Sequence, residues 1–123
     1  MEFSSIIIKA QQLARPIRTS EDCCAGDVAC VIVAESGNEF TGICVEFECG
    51  IGFCAEHAAV AEMLKHGESQ IKLVVAVNKL GEVMPPCGRC REMMWQLNNA
   101  NYNALVILSR VEAHPLSELL PFR

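Results

Sequence analysis

The sequence predicts an α/β fold, a mixed β-sheet covered by helices. Three observations carry this. Apolar residues at helical spacing alternate along the chain with strand-like runs. Two of those runs, Ile71 to Val77 and Leu105 to Leu108, are almost wholly apolar, as strands covered on both faces are. Helical segments separate them, so their connections are crossovers and the sheet is helix-covered. The chain of 123 residues fits one domain, residues 1–123. A domain of that size buries about two thirds of its unfolded surface and needs no disulfide scaffold.

Each element has its own signal. Phe3, Ile6, Ile7, Ala10, Leu13 and Ala14 mark one face of a helix over residues 3–15, and Pro16 ends or bends it. A polar loop is expected from Thr19 to Gly26. Val28 to Ala34 is β-rich, Ser36-Gly37-Asn38 reads as a tight turn, and Phe40 to Val45 returns as an antiparallel partner. Residues 46–53, with Gly50 and Gly52, form a loop. Cys54 to Lys65 reads as a helix stopped by Gly67. After the strand Ile71 to Val77, Pro85-Pro86 forces a break. Cys87 to Leu97 is a further helix ending at Asn98-Asn99, Leu105 to Leu108 a buried strand, and Pro115 to Leu120 a short helix. The expected order is α-β-β-α-β-α-β-α.

Composition excludes several classes of function. Net charge is −5, and the 10 Lys and Arg residues are scattered. Binding to duplex or long single-stranded nucleic acid relies on clustered basic residues neutralising phosphates, so no long nucleic acid is expected as partner. A small neutral or cationic substrate suits the chain better. The apolar runs Ile6–Ile8, Val28–Ala34 and Leu73–Val77 are far shorter than a membrane span, so no membrane partner is expected. Met1-Glu2-Phe3 lacks the basic start of a signal peptide. The eight cysteines are then expected as reduced thiols in the cytoplasm.

Four residues hold the chemistry: Cys54, Glu56, Cys87 and Cys90. They lie in Cys54-Ala55-Glu56 and Pro86-Cys87-Gly88-Arg89-Cys90. Three such cysteines can fill three corners of a zinc tetrahedron and leave the fourth for water. A carboxylate two residues past the first ligand can move protons to and from that water. Both runs fall where a loop gives way to a helix, and helix N-termini stabilise thiolates. Three thiolates on Zn²⁺ sum to −1, which blunts the metal's power to acidify water. Arg89 is expected to offset this through N–H···S contacts, and His57 is a second donor toward a thiolate. The pattern, a metal ligand two residues before Glu and a later Pro-Cys-x-x-Cys, is that of zinc-dependent hydrolytic deaminases.

The chain resembles the cytidine deaminase superfamily in its small three-cysteine branch, which includes cytidine deaminases and blasticidin S deaminases. The resemblance covers most of the sequence. It runs through Thr41-Gly42-Ile43-Cys44-Val45-Glu46, Cys54-Ala55-Glu56, Pro86-Cys87-Gly88-Arg89-Cys90-Arg91 and Ser117-Glu118-Leu119-Leu120-Pro121. It implies a three-layer α/β/α sandwich, a homotetramer, one zinc per subunit on Cys54, Cys87 and Cys90, and Glu56 as proton shuttle. It further implies Ala55 as a backbone contact to the base, Glu46 as a contact to the sugar, and Phe122 as an aromatic reaching a neighbouring subunit's site. The chain also departs from the family pattern. Cys44 stands where cytidine deaminases have the sugar-binding Asn, and Gly26 where they often have Phe. His57 stands for the Arg after Cys-Ala-Glu, whereas Arg89 between the paired cysteines resembles blasticidin S deaminase. The resemblance thus implies a deaminase of a cytosine-type nucleoside or analogue, with a nucleoside antibiotic or a free aminopyrimidine base as the alternative.

Simpler readings stand beside these. A structural zinc site would take a fourth ligand from Cys49 or His57 and make the chain a zinc-stabilised oligomeric binding protein. Cys87-x-x-Cys90 alone is also a redox pattern. Cys23, Cys24, Cys30 and Cys49 read as core or loop residues, and Cys44 as strand packing or pocket lining. His66 suits a helix C-terminus and His114 a loop. Met63, Met93, Met94 and Trp95 read as core or subunit contact.

Overall fold

A computed structural model describes all residues from Met1 to Arg123. The elements run α1 (Ser4–Leu13), β1 (Ile17–Ser20), β2 (Cys23–Ala34), β3 (Glu39–Phe47), α2 (Ala55–Lys65), β4 (Ile71–Asn78), α3 (Gly88–Leu97), β5 (Leu105–Ile107), β6 (Ala113–Pro115) and α4 (Leu116–Leu119). The six strands form one sheet. Its spine is β2, which pairs β3 antiparallel along one edge, from Cys23↔Phe47 to Val33↔Glu39. On the other edge, β1 pairs the start of β2 and β4 pairs the rest, from Val28↔Asn78 to Ala34↔Ile71. β5 lies parallel to β4, joined to it by the α3 crossover, and β6 closes the sheet antiparallel to β5.

Alternation along the strands sends side chains to two cores. Val31, Val75, Val77 and Ile107 face α1 and meet Phe3, Ile7 and Ala10. Cys30, Ile32, Val74 and Val106 point the other way, against Ala55, Ala59, Val60 and Met63 of α2 and Met94 of α3. The three layers are therefore α1, the sheet, and α2 with α3. This is the mixed-sheet α/β/α sandwich expected.

The segment expected as a polar loop from Thr19 to Gly26 is instead mostly strand: β1 includes Thr19 and Ser20, and β2 already begins at Cys23. All of β1 is exposed, so no apolar alternation announces it. It is held by pairing with β2. Where β1 gives way to β4 along that edge, β2 is irregular between Ala25 and Ala29. Gly26 sits in this break with φ +84°, and a Cβ there would lie 2.1 Å from the Arg15 carbonyl oxygen. No other residue fits. A sixth strand, β6, occupies part of the expected C-terminal loop and carries His114, so this histidine lies on a strand and not in a loop. The short final helix begins one residue later than expected, after Pro115.

Candidate metal centre and active site

Two helix starts build the site. Cys54 is the N-cap of α2 and Cys87 the N-cap of α3, both with extended backbone. Cys90 lies in the first turn of α3 and is fully buried. Close packing fixes α2 against β3: a Cβ at Gly42 would come within 2.4 Å of the Ala59 nitrogen and 2.6 Å of the Ala55 carbonyl oxygen. β3 therefore carries the helix that carries Cys54 and Glu56.

The three sulfurs converge. Cys54 Sγ lies 3.6 Å from Cys87 Sγ, and Cys87 Sγ 3.5 Å from Cys90 Sγ. Sulfurs sharing a tetrahedral zinc, each bound at about 2.3 Å, sit about 3.8 Å apart. The donor set thus fits zinc with little adjustment. His57 joins it: its Nδ1 is 3.7 Å from Cys90 Sγ, and donor atoms of Cys54, His57 and Cys90 all lie within 4.8 Å of one another. Cys49 remains exposed on the turn Glu48–Gly50.

The local fields differ at each thiol. Burial pushes the Cys54 and Cys90 thiols up, and the Glu56 carboxylate adds to both shifts. Burial also opposes ionisation of Cys87, but the N–H groups of Cys90 and Arg89 and the neighbouring thiols outweigh it and hold Cys87 below the ordinary thiol value. Burial, then the charge of Arg89, lowers the pKa of His57, favouring neutral imidazole.

Glu56 lies in the first turn of α2 and is 5% exposed. Burial raises its pKa above the usual carboxylate value. It opens, with Ala55, Cys54 and Cys87, on a cavity of about 560 Å³. Cys44, Glu46 and Arg89 line the same space. The Cys44 sulfur accepts a hydrogen bond from the Val28 N–H at 3.3 Å. Glu46 accepts one from the Cys24 thiol at 3.5 Å.

Not every expected residue arrives in its expected role. Arg89 is exposed and shows no N–H···S bond; His57 makes the contact to sulfur instead. Pro86 is buried behind the site, and its carbonyl accepts from Arg91 Nε at 2.8 Å. Phe122 is fully exposed with φ 60° and does not line its own chain's cavity. Other lining residues were not expected at the site from the sequence, among them Asp27, Phe47, Phe53 and Met84. Phe53 had a local signal, as the neighbour of Cys54. Asp27 and Met84 had none, since only the β2 irregularity and the β4–α3 connection bring them in.

The cluster can hold one zinc and present it to a cavity beside a buried carboxylate. Residues 4–106 match the cytidine and deoxycytidylate deaminase zinc-binding region. A cytidine deaminase of Mycobacterium tuberculosis is 30% identical over 95 residues, covering 76% of this chain and 69% of that protein. One from Halalkalibacterium halodurans is 26% identical over 97 residues, covering 76% and 74%. The crystal structure of Mycobacterium tuberculosis cytidine deaminase superposes with a TM-score of 0.80 at 26% identity, covering 99% of this chain and 96% of that one. The chain belongs to the cytidine and deoxycytidylate deaminase family of zinc-dependent hydrolases.

Proposed function

We propose that the protein deaminates an aminopyrimidine nucleoside or nucleoside analogue, replacing the exocyclic amine with a carbonyl and releasing ammonia. One observation carries this reading. Glu56 is buried, has no side-chain partner, and opens on the cavity that the cysteine cluster also lines. A structural zinc site would not need a buried carboxylate facing open space. The names of the relatives agree: they are cytidine deaminases.

In this reading Cys54, Cys87 and Cys90 are the zinc ligands. Zinc held there would supply Lewis acidity that makes water easier to deprotonate. Glu56 takes a proton from the attacking water, gives it to the ring nitrogen beside the reacting carbon, and delivers the second proton to the departing amine. Its raised pKa suits a group that must both accept and return a proton. The Ala55 backbone contacts the ring, and Glu46 accepts from a hydroxyl of the ring substituent. His57 donates toward Cys90 and offsets part of the thiolate charge.

A second reading rests on the same cluster. His57 lies close enough to Cys54 and Cys90 to act as the third ligand in place of Cys87. Zinc content separates the two. Cys87→Ser should lose zinc, and His57→Ala should keep it with weaker affinity; the opposite pattern would make His57 the ligand.

The rest of the reading follows from the site and the family. Three thiolate ligands ask for a reducing compartment, which favours the cytoplasm. No helix is long and apolar enough to cross a membrane. Both cores flank one sheet, which supports a single domain over residues 1–123. A homotetramer is proposed from the family resemblance, and the groove between α2 and α3, with Leu64, Met93 and Leu97, supports it. Light scattering should then give four times the 13.5 kDa chain mass.

The deciding experiment is ammonia release by zinc-loaded protein from cytidine, deoxycytidine, cytosine and blasticidin S, with Glu56→Gln as the blank. Turnover of a nucleoside, absent in the blank, is expected. Turnover of cytosine alone would shift the reading to a free-base deaminase. No turnover from folded, zinc-bound protein would overturn it.

A further inference from the structure

The cavity lining combines two kinds of chemistry. Cys54, Cys87 and Glu56 supply the reactive groups, and Arg89 is the only basic side chain on the whole lining. Two exposed carboxylates also line it, Asp27 from the irregular stretch of β2 and Glu46 from β3. Both act on one thiol: Cys24 donates to Glu46 at 3.5 Å and also feels the Asp27 charge. The adjoining hollow continues the acidic surface with Glu21, Asp22 and Glu48. Arg18 is the only cation there, and its guanidinium is engaged by the Ser20 and Glu21 carbonyls at 3.2 and 3.1 Å. Cys44 adds no free polar donor, since its sulfur is taken by the Val28 N–H. Glu56, 5% exposed and bonded to no other side chain, faces the same space.

We infer that Asp27 and Glu46 make this cavity select by charge: it takes an aminopyrimidine whose ring substituent carries an amine or guanidine, accepts a neutral hydroxyl-bearing one less well, and turns away an anionic one. The inference rests on the deaminase reading of the same cavity. Two exposed carboxylates against the single basic lining residue, Arg89, leave a net negative lining that attracts a donor cation and repels a phosphate or carboxylate by the same field. Partly solvated ion pairs are weak, so the preference should be about 1.4-fold to fivefold between successive substituents.

The test uses the zinc-loaded Glu56→Gln protein, which holds ligand without turnover. Calorimetry would compare cytosines bearing aminopropyl, hydroxypropyl and carboxyethyl groups on N1, with cytidine as reference. The amine should bind tightest and the carboxylate weakest. Asp27→Asn should compress the series, Asp27→Lys should reverse it, and added salt should flatten it. A carboxylate that binds as tightly as the amine, or a series unmoved by Asp27→Asn, overturns the inference while cytidine binding leaves the deaminase reading intact. If neither cytidine nor any of the three cytosines binds, both fall together.

Discussion

A carboxylate that must take up a proton and give it back works best when neither state is strongly favoured. Burial moves Glu56 in that direction by raising its pKa above the ordinary 4.5. The shift has a sign for stability as well. Its folded pKa exceeds the unfolded one, so the stability from its protonated form is fully present below about 4.5 and is lost as pH rises through the folded value. At neutral pH the buried charge is a cost in the metal-free protein. Glu56→Gln should therefore abolish turnover, by at least a hundredfold, and yet raise the metal-free melting temperature at pH 7. A gain of about 1 kcal/mol would raise Tm by roughly 4 °C. A drop in Tm at pH 7 would contradict the burial argument. His57 gives a second prediction. Its Nδ1 lies 3.7 Å from the Cys90 sulfur, so its replacement by Ala should weaken zinc affinity by about 10–100-fold. Arg89→Ala, which removes no sulfur contact, should weaken it less; competition with a chelating dye would rank the two. The residues of this centre were legible because their spacing is local: Cys54 with Glu56, and Cys87 with Cys90, each sit within one helical turn. Asp27 was not legible, because nothing near it in sequence shows that β2 breaks its regular pairing there.

Helices and strands were legible where burial wrote a period into them. α1, α2, β4 and α3 came within two residues of their observed ends, since each buries one face or both. β1 and β6 left no such trace. β1 is exposed throughout, and β6 is only three residues long; each exists because a neighbouring strand offers it an edge. The same logic shows which element contacts control the site. β3 and α2 approach so closely at Gly42 that a methyl group would collide with the backbone of Ala55 and Ala59. Gly42→Ala should cost about 3 kcal/mol and also impair zinc binding, because the helix that must move carries Cys54 and Glu56. Asn101 offers the contrast. It is fully buried, accepts from Ile71 N–H at 2.8 Å and donates to the Ser69 and Met94 carbonyls at 3.0 and 2.9 Å. Asn101→Ala should cost a similar amount, about 2–4 kcal/mol, by stranding three buried groups. Its zinc affinity should stay near wild type, since α2 keeps its place. Urea melts and zinc titrations on both variants would show whether only Gly42 couples stability to the site.

At the scale of the whole molecule, the metal joins parts of the chain that the sheet alone brings near. The N-termini of α2 and α3 come from residues far apart in sequence, with β4 between them. Both helices pack on one core face, so the fold should exist without metal, but the three thiols then stand together with no charge to bind. Zinc binding must displace protons from two thiols that burial pushes up. Metal binding should therefore stabilise the folded state by mass action, by about 4 kcal/mol when free zinc is a thousand times its dissociation constant. Chelation should lower Tm without unfolding the chain at 25 °C. It should also expose the thiols to alkylation in a set order. Cys87, exposed and held below the ordinary thiol value, should react first, Cys54 next, and the fully buried Cys90 last. Mass spectrometry of iodoacetamide-treated protein, before and after chelation, reads that order directly. If chelation leaves both Tm and the reactivity of Cys87 unchanged, the cluster does not hold zinc in the native fold. If all three thiols react together, the helix starts separate when the metal leaves, and zinc is what keeps the site assembled.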